Sequence, residues 1–205
     1  MVEKISLPQP KFNDGMSLEE AIRWRRSRRD FADASLSMEQ LAQLLWASQG
    51  VTGKRTTRRA APSAGATFPI DIFVAVGSGT VGRLGAGVYR YLPGEHVLEK
   101  ATDGDVRAQI AAAALGQDFL ESAPVVILMA AEYARTAGRY GERAGRYVAM
   151  EAGHIGQNVY LQAEALGLGT VAVGAFHDKQ MGVAFRLPKE LEPLYLMPVG
   201  AIARS

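Results

Sequence analysis

The chain has 205 residues, no cysteine, and 23 lysines and arginines against 21 aspartates and glutamates, so its formal net charge is +2. The absence of cysteine excludes a disulfide framework, a thiolate metal site and a catalytic thiol. A surplus of two positive charges is too small to indicate that the whole surface binds nucleic acid. We expect a single domain over residues 1–205, without a secretion signal or a membrane span, in the cytoplasm.

Two capped helices are predicted near the start of the chain. Ser17 followed by Glu20 is a capping box, which predicts a helix that runs to about Arg26. Ser37 begins a second helix by the same logic, and Gly50 ends it. The rest of the chain alternates apolar runs of strand length with helical segments, which predicts a mixture of helices and short strands. The predicted strands are Ile70–Val76, Val88–Leu92, Pro124–Ala131, Gly169–Val173 and Tyr195–Val199, and the predicted helices are Asp103–Leu115, Glu142–Leu166 and Lys179–Phe185.

The long helix predicted at 142–166 is notable for its missing charges. Between Ala152 and Ala163 it carries no lysine, arginine, aspartate or glutamate, and alanine and glycine are frequent. A helix that is apolar or small almost all round has to be covered on nearly every side. In a chain of this size, that favours a homodimer over a monomer.

A GxGxxG pattern at Gly77–Gly82 directly follows the predicted strand IDIFVAV. In a dinucleotide-binding fold these glycines would open a helix, and an acid such as Glu99 would bind the ribose. The following segment, RLGAGVYRYLPGEH, contains three glycines and a proline and cannot form a stable helix. We therefore predict a glycine-rich connection into the next strand.

Histidine and serine give little support for other chemistries. His96, His154 and His177 are the only histidines, and no two stand at ligand spacing, so no metal site is expected. His154 is interpreted as a hydrogen-bonded interior residue. Ser63 lies in PSAG and lacks the GxSxG pattern of a serine hydrolase.

The stretch RWRRSRRDF places five arginines in seven positions, 23–29, around Ser27. Paired guanidinium groups bind phosphate oxygens, and a hydroxyl can add a hydrogen bond. The alternatives are a solvated helix end or a nucleic-acid surface that also uses Lys54, Arg55, Arg58 and Arg59.

Two small-residue segments, APSAGATFP at 61–69 and GLGTVAVGAFHD at 167–178, lie beside predicted strands. Such segments let backbone amides and carbonyls approach a planar ligand closely, although each by itself is also compatible with an ordinary loop.

Four stretches together resemble the FMN-dependent nitroreductase family. They are RRSRRDF, RRAAPSAGATFP, RYGERAGRYVAMEAGHIGQNVYLQAEALGLGTVAVGAF and LMPVGAI, and they occur in this order from about residue 17 to 204. The branch that looks most similar is that of the peptide azoline dehydrogenases of the SagB and cyanobactin-oxidase type. The resemblance implies an α+β fold with a mixed, mainly antiparallel sheet flanked by helices in an intertwined homodimer.

The resemblance also implies a role for particular residues. The RRSxR motif would hold the FMN phosphate, ribityl chain and pyrimidine edge, the PSAG loop would touch the flavin of the other subunit, and VAVGAF would face the flavin N5. Arg23 and Arg28 are then left as solvent-facing charges. The residues implied in FMN binding are Arg25, Arg26, Ser27, Arg29, Pro62, Ser63, Ala64, Gly65, Gln117, Gly174, Ala175 and Arg204.

Two positions depart from the family patterns. Many nitroreductases have Asn where this chain has Ala66, although the azoline-dehydrogenase branch shares the alanine. That branch commonly has a Lys-Tyr pair where this chain has Arg139 and Tyr140. A guanidinium cannot serve as a base near neutral pH, so Tyr140 is left as the candidate for proton transfer.

The expected activity is hydride transfer by a ping-pong route through the flavin N5, from NAD(P)H to a small nitroaromatic or quinone-like acceptor. The alternatives are an azoline or peptide dehydrogenase assisted by Tyr140, and a flavin-binding module without turnover. The expected partners are a second copy of the chain and a small-molecule substrate, with neither nucleic acid nor a membrane.

Overall fold

The computed structural model describes residues 3–12, 15–53 and 58–203. Its strands are β1 (Lys4–Ser6), β2 (Ile70–Val76), β3 (Gly87–Leu92), β4 (Val97–Asp103), β5 (Val125–Ala131), β6 (Leu168–Thr170) and β7 (Glu192–Ala201). Its α-helices are α1 (Leu18–Trp24), α2 (Met38–Gln49), α3 (Arg107–Ala113), α4 (Phe119–Ser122), α5 (Tyr133–Tyr140), α6 (Ala144–Ala165) and α7 (Asp178–Ala184). Short 3₁₀ turns occupy Ala64–Ala66 and Gly141–Arg143.

The strands form one seven-stranded sheet in the order β1-β4-β3-β2-β5-β7-β6. Every strand pair within this sheet is antiparallel. β2 and β5 pair along their whole length, from Ile70 opposite Ala131 to Val76 opposite Val125. The predicted α+β fold, an antiparallel sheet flanked by helices, is confirmed.

Both faces of the sheet are covered, which explains why β5 is apolar throughout and β2 is apolar except for Asp71. Side chains of β2 alternate between the faces, with Ile70, Ile72 and Val74 in one cluster and Phe73 and Ala75 in the other. Helices α2 and α6 pack on the first face, and α3, α4 and α7 supply apolar residues to the second. The seven residues of β5 are all buried.

Local signals in the sequence set the starts of the first two helices. Ser17 and Ser37 are N-caps, and each forms the reciprocal capping box with the residue three positions later. Helix α1 ends at Trp24 instead of Arg26, because Arg25 already has an extended backbone while its N–H still bonds the carbonyl of Ala21 at 2.9 Å. The arginine-rich segment therefore leaves the helix and continues as extended chain.

Several predicted bounds were wrong. The helix predicted from Asp103 begins at Arg107, because β4 continues through Asp103 opposite Gly87 of β3. Neither β1, β4 nor α5 was predicted. In β4, only Val97 and Leu98 are buried, and the mainly polar residues after them conceal the strand pattern.

The glycine-rich connection after β2 is confirmed, since β3 pairs antiparallel with β2 and no helix lies between residues 77 and 86. Packing explains why position 77 is a glycine. A Cβ there would overlap the guanidinium of Arg107, whose Nη1 donates to the carbonyl of Ala123 at 2.8 Å.

The predicted long helix is confirmed as α6, which begins two residues later and ends one residue earlier than predicted. Its inner face packs in the core, whereas small residues at Gly145, Ala149 and Gly153 lie exposed on the opposite face. None of the helices in the described ranges has the length and apolar composition needed to cross a membrane.

Candidate functional site

The segment 25–29 lies against the edge of the sheet. Ser27 forms a parallel bridge with Thr170 of β6, and the N–H of Arg28 donates to the carbonyl of Thr170 at 2.9 Å. Further along, the N–H of Ala32 donates to Ala201 of β7 at 2.9 Å. These backbone bonds fix the arginine segment next to the start of the loop that follows β6.

Tyr160 of α6 connects this segment with that loop. Its hydroxyl oxygen accepts the N–H of Ala172 at 2.8 Å and lies 3.0 Å from the Ser27 hydroxyl. Because the Ala172 N–H can only donate, the Tyr160 proton is free to point to Ser27 Oγ. In that arrangement the proton of Ser27 remains available for an acceptor outside the protein.

The guanidinium groups of Arg25 and Arg29 have aromatic neighbours but no anionic ones. Arg25 lies 5.1 Å from the ring centre of Tyr160, and Arg29 lies 5.8 Å from that of Phe119. Within the described ranges neither side chain makes an ion pair or a hydrogen bond. Arg26 differs, because its Nη1 donates to the carbonyls of Arg23 and Arg25, each at 2.9 Å.

Arg28 was expected to face solvent, and this expectation is wrong. Its Nη2 donates to Glu164 Oε1 at 2.9 Å, and the Glu164 side chain is only 8% exposed. The alternation of an extended chain turns Arg28 to the α6 side of the segment, where this carboxylate lies. Arg23 does remain exposed, with its guanidinium 5.1 Å from the Trp24 ring centre.

Gln117 joins the loop after β6 to the turn between α3 and α4. Its Nε2 donates to the carbonyl of Ala175 at 3.0 Å and to that of Ala114 at 2.7 Å. Gly174 and Ala175 are both exposed. The structure therefore brings Gln117 and the 174–175 backbone together. Arg29 lies on the same side, because its aromatic neighbour Phe119 is two residues after Gln117 in the chain.

The PSAG loop, residues 62–65, and the residues that follow it up to Phe68 have an unusual backbone. Gly65, Ala66 and Phe68 have φ angles of +59°, +53° and +44°. For residues with a Cβ this region costs roughly 1–2 kcal/mol each, and such strain concentrates at functional sites. Ser63 Oγ accepts the N–H of Phe68 at 2.9 Å, which closes the loop on itself.

Helix α5 holds the loop from one side. Arg135 Nη1 donates to the carbonyl of Phe68 at 3.1 Å, Arg139 Nη1 donates to that of Gly65 at 3.1 Å, and the hydroxyls of Thr136 and Thr67 lie 2.9 Å apart. These bonds explain how the strained conformation is maintained.

Tyr140, the candidate catalytic residue, is half-buried beside the same loop. A Cβ at Gly65 would lie 2.7 Å from the Tyr140 hydroxyl oxygen, so only glycine leaves room for it. The ring packs edge to face on Tyr147, with 4.8 Å between centres. Its hydroxyl makes no hydrogen bond within the described ranges, so it is available to a ligand.

Behind the loop lies a carboxyl group that the sequence did not indicate as functional. Glu151 of α6 is 2% exposed, and its Oε1 accepts from Gln49 Nε2 at 3.2 Å. The Ser63 hydroxyl and Gln49 favour the charged form of this carboxylate, but burial outweighs them and raises the pKa of Glu151. Glu151 therefore supports the PSAG loop from the core side.

The arginine segment and the PSAG loop lie toward opposite ends of the sheet. Ser27 is level with Thr170, Val199, Val125 and Val76, one residue row across the strands. The loop enters β2 at Ile70, six residues away, which corresponds to about 20 Å along a strand. No hydrogen bond, ion pair or ring contact between described residues joins the two groups.

Arg204, expected near the phosphate, lies outside the described residues, as do Lys54 and Arg55. The structure removes Arg28 and the half-buried Arg59 from the basic surface that a nucleic-acid interface would use.

Comparison with known proteins gives the family. The model of the nitroreductase family matches residues 22–201. The chain belongs to the nitroreductase family. A protein of Methanocaldococcus jannaschii that carries the name nitroreductase is 45% identical over 185 residues, which are 90% of this chain and 91% of the relative. A crystal structure named as a nitroreductase, from Ralstonia eutropha, has a TM-score of 0.84 with 31% identity, and covers 98% of this chain and 90% of its own.

A further relative of this nitroreductase-family chain is the trifolitoxin operon protein TfxC of Rhizobium leguminosarum. It is 27% identical over 191 residues, which are 86% of this chain but 53% of the relative. Family membership supports an oxidoreductase role with a flavin. The residues present suit a phosphate group such as that of a flavin mononucleotide, because Arg25 and Arg29 have no anionic partner in the described ranges and the Ser27 hydroxyl can donate when Tyr160 donates to it.

Tyr160 and Glu151 are the residues near these groups that sequence analysis missed. Tyr160 sits in an apolar helical stretch, where an aromatic residue normally indicates core packing, and its partners Ser27 and Ala172 are remote or in a loop. Glu151 could have been found from its position between the apolar residues Met150 and Ala152 of a helix, where a charged side chain is unexpected.

Proposed function

We propose that this chain is an FMN-dependent oxidoreductase that takes reducing equivalents from NAD(P)H and passes them to a small organic acceptor, such as a nitroaromatic or a quinone. The observation that carries the proposal is the arginine segment: Arg25 and Arg29, which have no anionic partner in the described ranges, flank Ser27, whose hydroxyl can donate to a ligand while Tyr160 donates to it. A bound flavin would supply the redox chemistry, and the protein would supply binding and orientation.

The chain's own residues have distinct tasks in this proposal. Arg25 and Arg29 neutralise the phosphate, and Ser27, with its proton directed by Tyr160, donates a hydrogen bond to it. Gln117 fixes the carbonyl of Ala175, so the backbone around that loop is held in place and can present its N–H groups to a ligand. Pro62, Ser63, Ala64 and Gly65 form the other wall of the site.

A homodimer completes the site in this proposal. The PSAG loop and the arginine segment lie about 20 Å apart along the strands, so a loop from a second copy is the simpler way to reach the same flavin. Two surfaces support such a partner. Leu18, Ile22 and Trp24 of α1 are 60%, 56% and 48% exposed, and α6 presents its small residues with Met150, itself 52% exposed.

A second candidate function is oxidation of an azoline or a related peptide group. It is favoured by Tyr140, whose half-buried hydroxyl has no hydrogen-bond partner in the described ranges and borders the PSAG loop. Arg139 is bonded to the Gly65 carbonyl, which assigns it to holding the loop. The similarity to the trifolitoxin operon protein is in keeping with this branch.

The proposal is tested by the absorbance spectrum of the purified protein after reconstitution with FMN, followed by anaerobic additions of NADH and NADPH. We expect a flavin spectrum that is bleached by one of the two donors and restored by a quinone. Arg25→Ala and Arg29→Ala should release the flavin, whereas the matched control Arg23→Ala should retain it.

Other outcomes separate the alternatives. A protein that binds no FMN refutes the proposal, and bound FMN that neither donor reduces indicates a binding module or an oxidase. Conversion of an azoline peptide to the azole, lost in Tyr140→Phe, would establish the second candidate. Affinity for nucleic acid that falls steeply with salt would instead support the basic-surface hypothesis.

A further inference from the structure

A cleft opens between β2 and β3, within the interior of the sheet. β2 pairs with β5 from Ile70 onward, but it pairs with β3 only from Phe73, which lies opposite Arg90. β3 nevertheless continues to Leu92, so the first residues of β2 and the last residues of β3 are not paired with each other. The gap is a cavity of about 300 Å³, and its charged lining residues are Arg59, Asp71, Arg90, Glu95 and Arg135.

The two carboxylates in this lining already have cationic partners. Asp71 accepts from Arg90 Nη2 at 2.7 Å and from Arg135 Nη1 at 2.9 Å. Glu95 is bound by Lys4 Nζ at 2.9 Å. Arg135 also binds Glu132 Oε2 at 2.7 Å, so Arg59 is the one arginine of this lining that forms no ion pair in the described ranges.

Arg59 is poorly satisfied for a guanidinium inside the protein. Its only hydrogen bond in the described ranges is a long one, 3.4 Å from Nη1 to Gln49 Oε1. Its Nε is buried with no partner, and its charged end lies 4.3 Å from the ring centre of Phe68. Burial lowers the pKa of Arg59, although the carboxylates of Asp71 and Glu151 act in the opposite direction. Neither carboxylate forms an ion pair with Arg59 in the described ranges, and Glu151 accepts from Gln49 instead.

We propose that this cleft is a binding site for a small oxyanion, a carboxylate or a phosphate, held by Arg59 with Arg90 and Arg135 beside it. A guanidinium presents a planar fork of donors that matches two oxygens of such an anion. The bound anion would replace the missing counter-charge of Arg59 and satisfy its free donors. Unpaired polar groups of this kind are costly when buried, so the anion also stabilises the fold.

The site is separate from the arginine segment and adjoins the PSAG loop. Arg59 packs on Phe68, and Arg135 donates to the Phe68 carbonyl at 3.1 Å, so both cationic walls of the cleft touch the residue that closes the loop. An anion in the cleft would therefore bind where it stiffens the loop. The proposal stands whether or not the chain binds FMN, because none of its residues belongs to the arginine segment.

Thermal unfolding in a non-coordinating buffer tests the proposal. Inorganic phosphate and citrate are titrated separately, against sodium chloride at the same ionic strength. We expect a saturable rise in Tm with at least one of the two oxyanions, and which of them acts distinguishes a phosphate from a carboxylate ligand. In Arg59→Gln the fitted Kd should weaken at least tenfold.

Two matched variants locate the effect. Arg58→Gln removes an exposed neighbouring arginine and should leave the Tm response unchanged. Arg25→Gln tests whether the oxyanion binds at the arginine segment instead. If Arg59→Gln fails to fold by far-UV circular dichroism, Arg59→Lys keeps the charge without the fork and should weaken the Kd in the same way. The proposal is overturned if neither oxyanion raises Tm beyond chloride, if the Arg59 variants respond like the wild type, or if only Arg25→Gln abolishes the response.

Discussion

Replacing Tyr160 by Phe removes a single oxygen atom that serves two groups. That oxygen accepts the Ala172 N–H at 2.8 Å and contacts the Ser27 hydroxyl at 3.0 Å. A hydrogen bond contributes about 1 kcal/mol net, so the two together stabilise the fold by about 2 kcal/mol. For a chain of this length each kcal/mol shifts Tm by about 2–4 °C, and the variant should unfold about 4–8 °C below the wild type.

The same change should weaken flavin binding. In the wild type the Tyr160 proton satisfies Ser27 Oγ, which directs the Ser27 proton outward to the ligand. Without it, Ser27 can turn to other acceptors, and the loss of one oriented hydrogen bond, about 1 kcal/mol, corresponds to a Kd about fivefold higher. The Kd is measured by fluorescence titration of FMN with the apoprotein, beside a melting curve of the same sample.

Tyr133→Phe is the matched control, because the Tyr133 hydroxyl makes no hydrogen bond in the described ranges and lies on α5, away from the arginine segment. It should leave the FMN Kd unchanged. If Tyr160→Phe lowers Tm but binds FMN like the wild type, Tyr160 has a structural role only. If neither quantity changes, the inferred direction of the hydroxyl protons is refuted.

Three further variants test the packing around the two groups. Arg28→Ala leaves the nearly buried Glu164 without its cation, and chemical denaturation should show that the free energy of unfolding falls by about 2–4 kcal/mol. A fall below about 1 kcal/mol would mean that the Arg28–Glu164 ion pair does not stabilise the fold. Gly65→Ala places a Cβ against Tyr140 at a φ of +59°, and a melting curve should show a lower Tm; an unchanged Tm would mean that the loop is not held as described. Glu151 has a raised pKa, so its native state binds the proton more tightly and wild-type stability declines as pH rises from about 4.5 to the folded pKa. The free energy of unfolding of Glu151→Gln relative to wild type should therefore rise over that interval, by at most about 1.4 kcal/mol per pH unit, and a pH-independent difference would contradict the assignment.

Elements whose signals are local could be predicted from the sequence. The capping boxes at Ser17 and Ser37 need only four residues each. The run Ile70–Val76 is apolar except for Asp71 because both faces of the sheet are covered. Strand β4 could not be predicted in the same way. Its second half is exposed, and β3 on one side and the short β1 on the other define it only by pairing.

The individual roles of the arginines could not be predicted because their partners are distant in sequence. Glu164 lies 136 residues from Arg28, and Tyr160 lies 133 residues from Ser27. Nothing within RWRRSRRDF distinguishes an arginine that forms an ion pair from one that faces a ligand. The family motif pointed to the segment as a whole, but only the fold separates Arg28, which pairs with Glu164, from Arg25 and Arg29.

The strained PSAG loop and the free guanidinium groups lead to the same conclusion about assembly. A loop with left-handed Ala66 and Phe68 is costly to maintain, and the chain maintains it with three hydrogen-bonded contacts from α5 and one from its own Ser63. Such rigidity has a function where the loop must match the surface of another molecule. Within one chain the proposed flavin-binding arginines do not lie beside the loop, because Arg25 and Arg29 lie toward the other end of the strands. In a dimer, each copy would place its loop beside the arginine segment of the other copy. Two equivalent sites would then form, and they would exist only in the dimer.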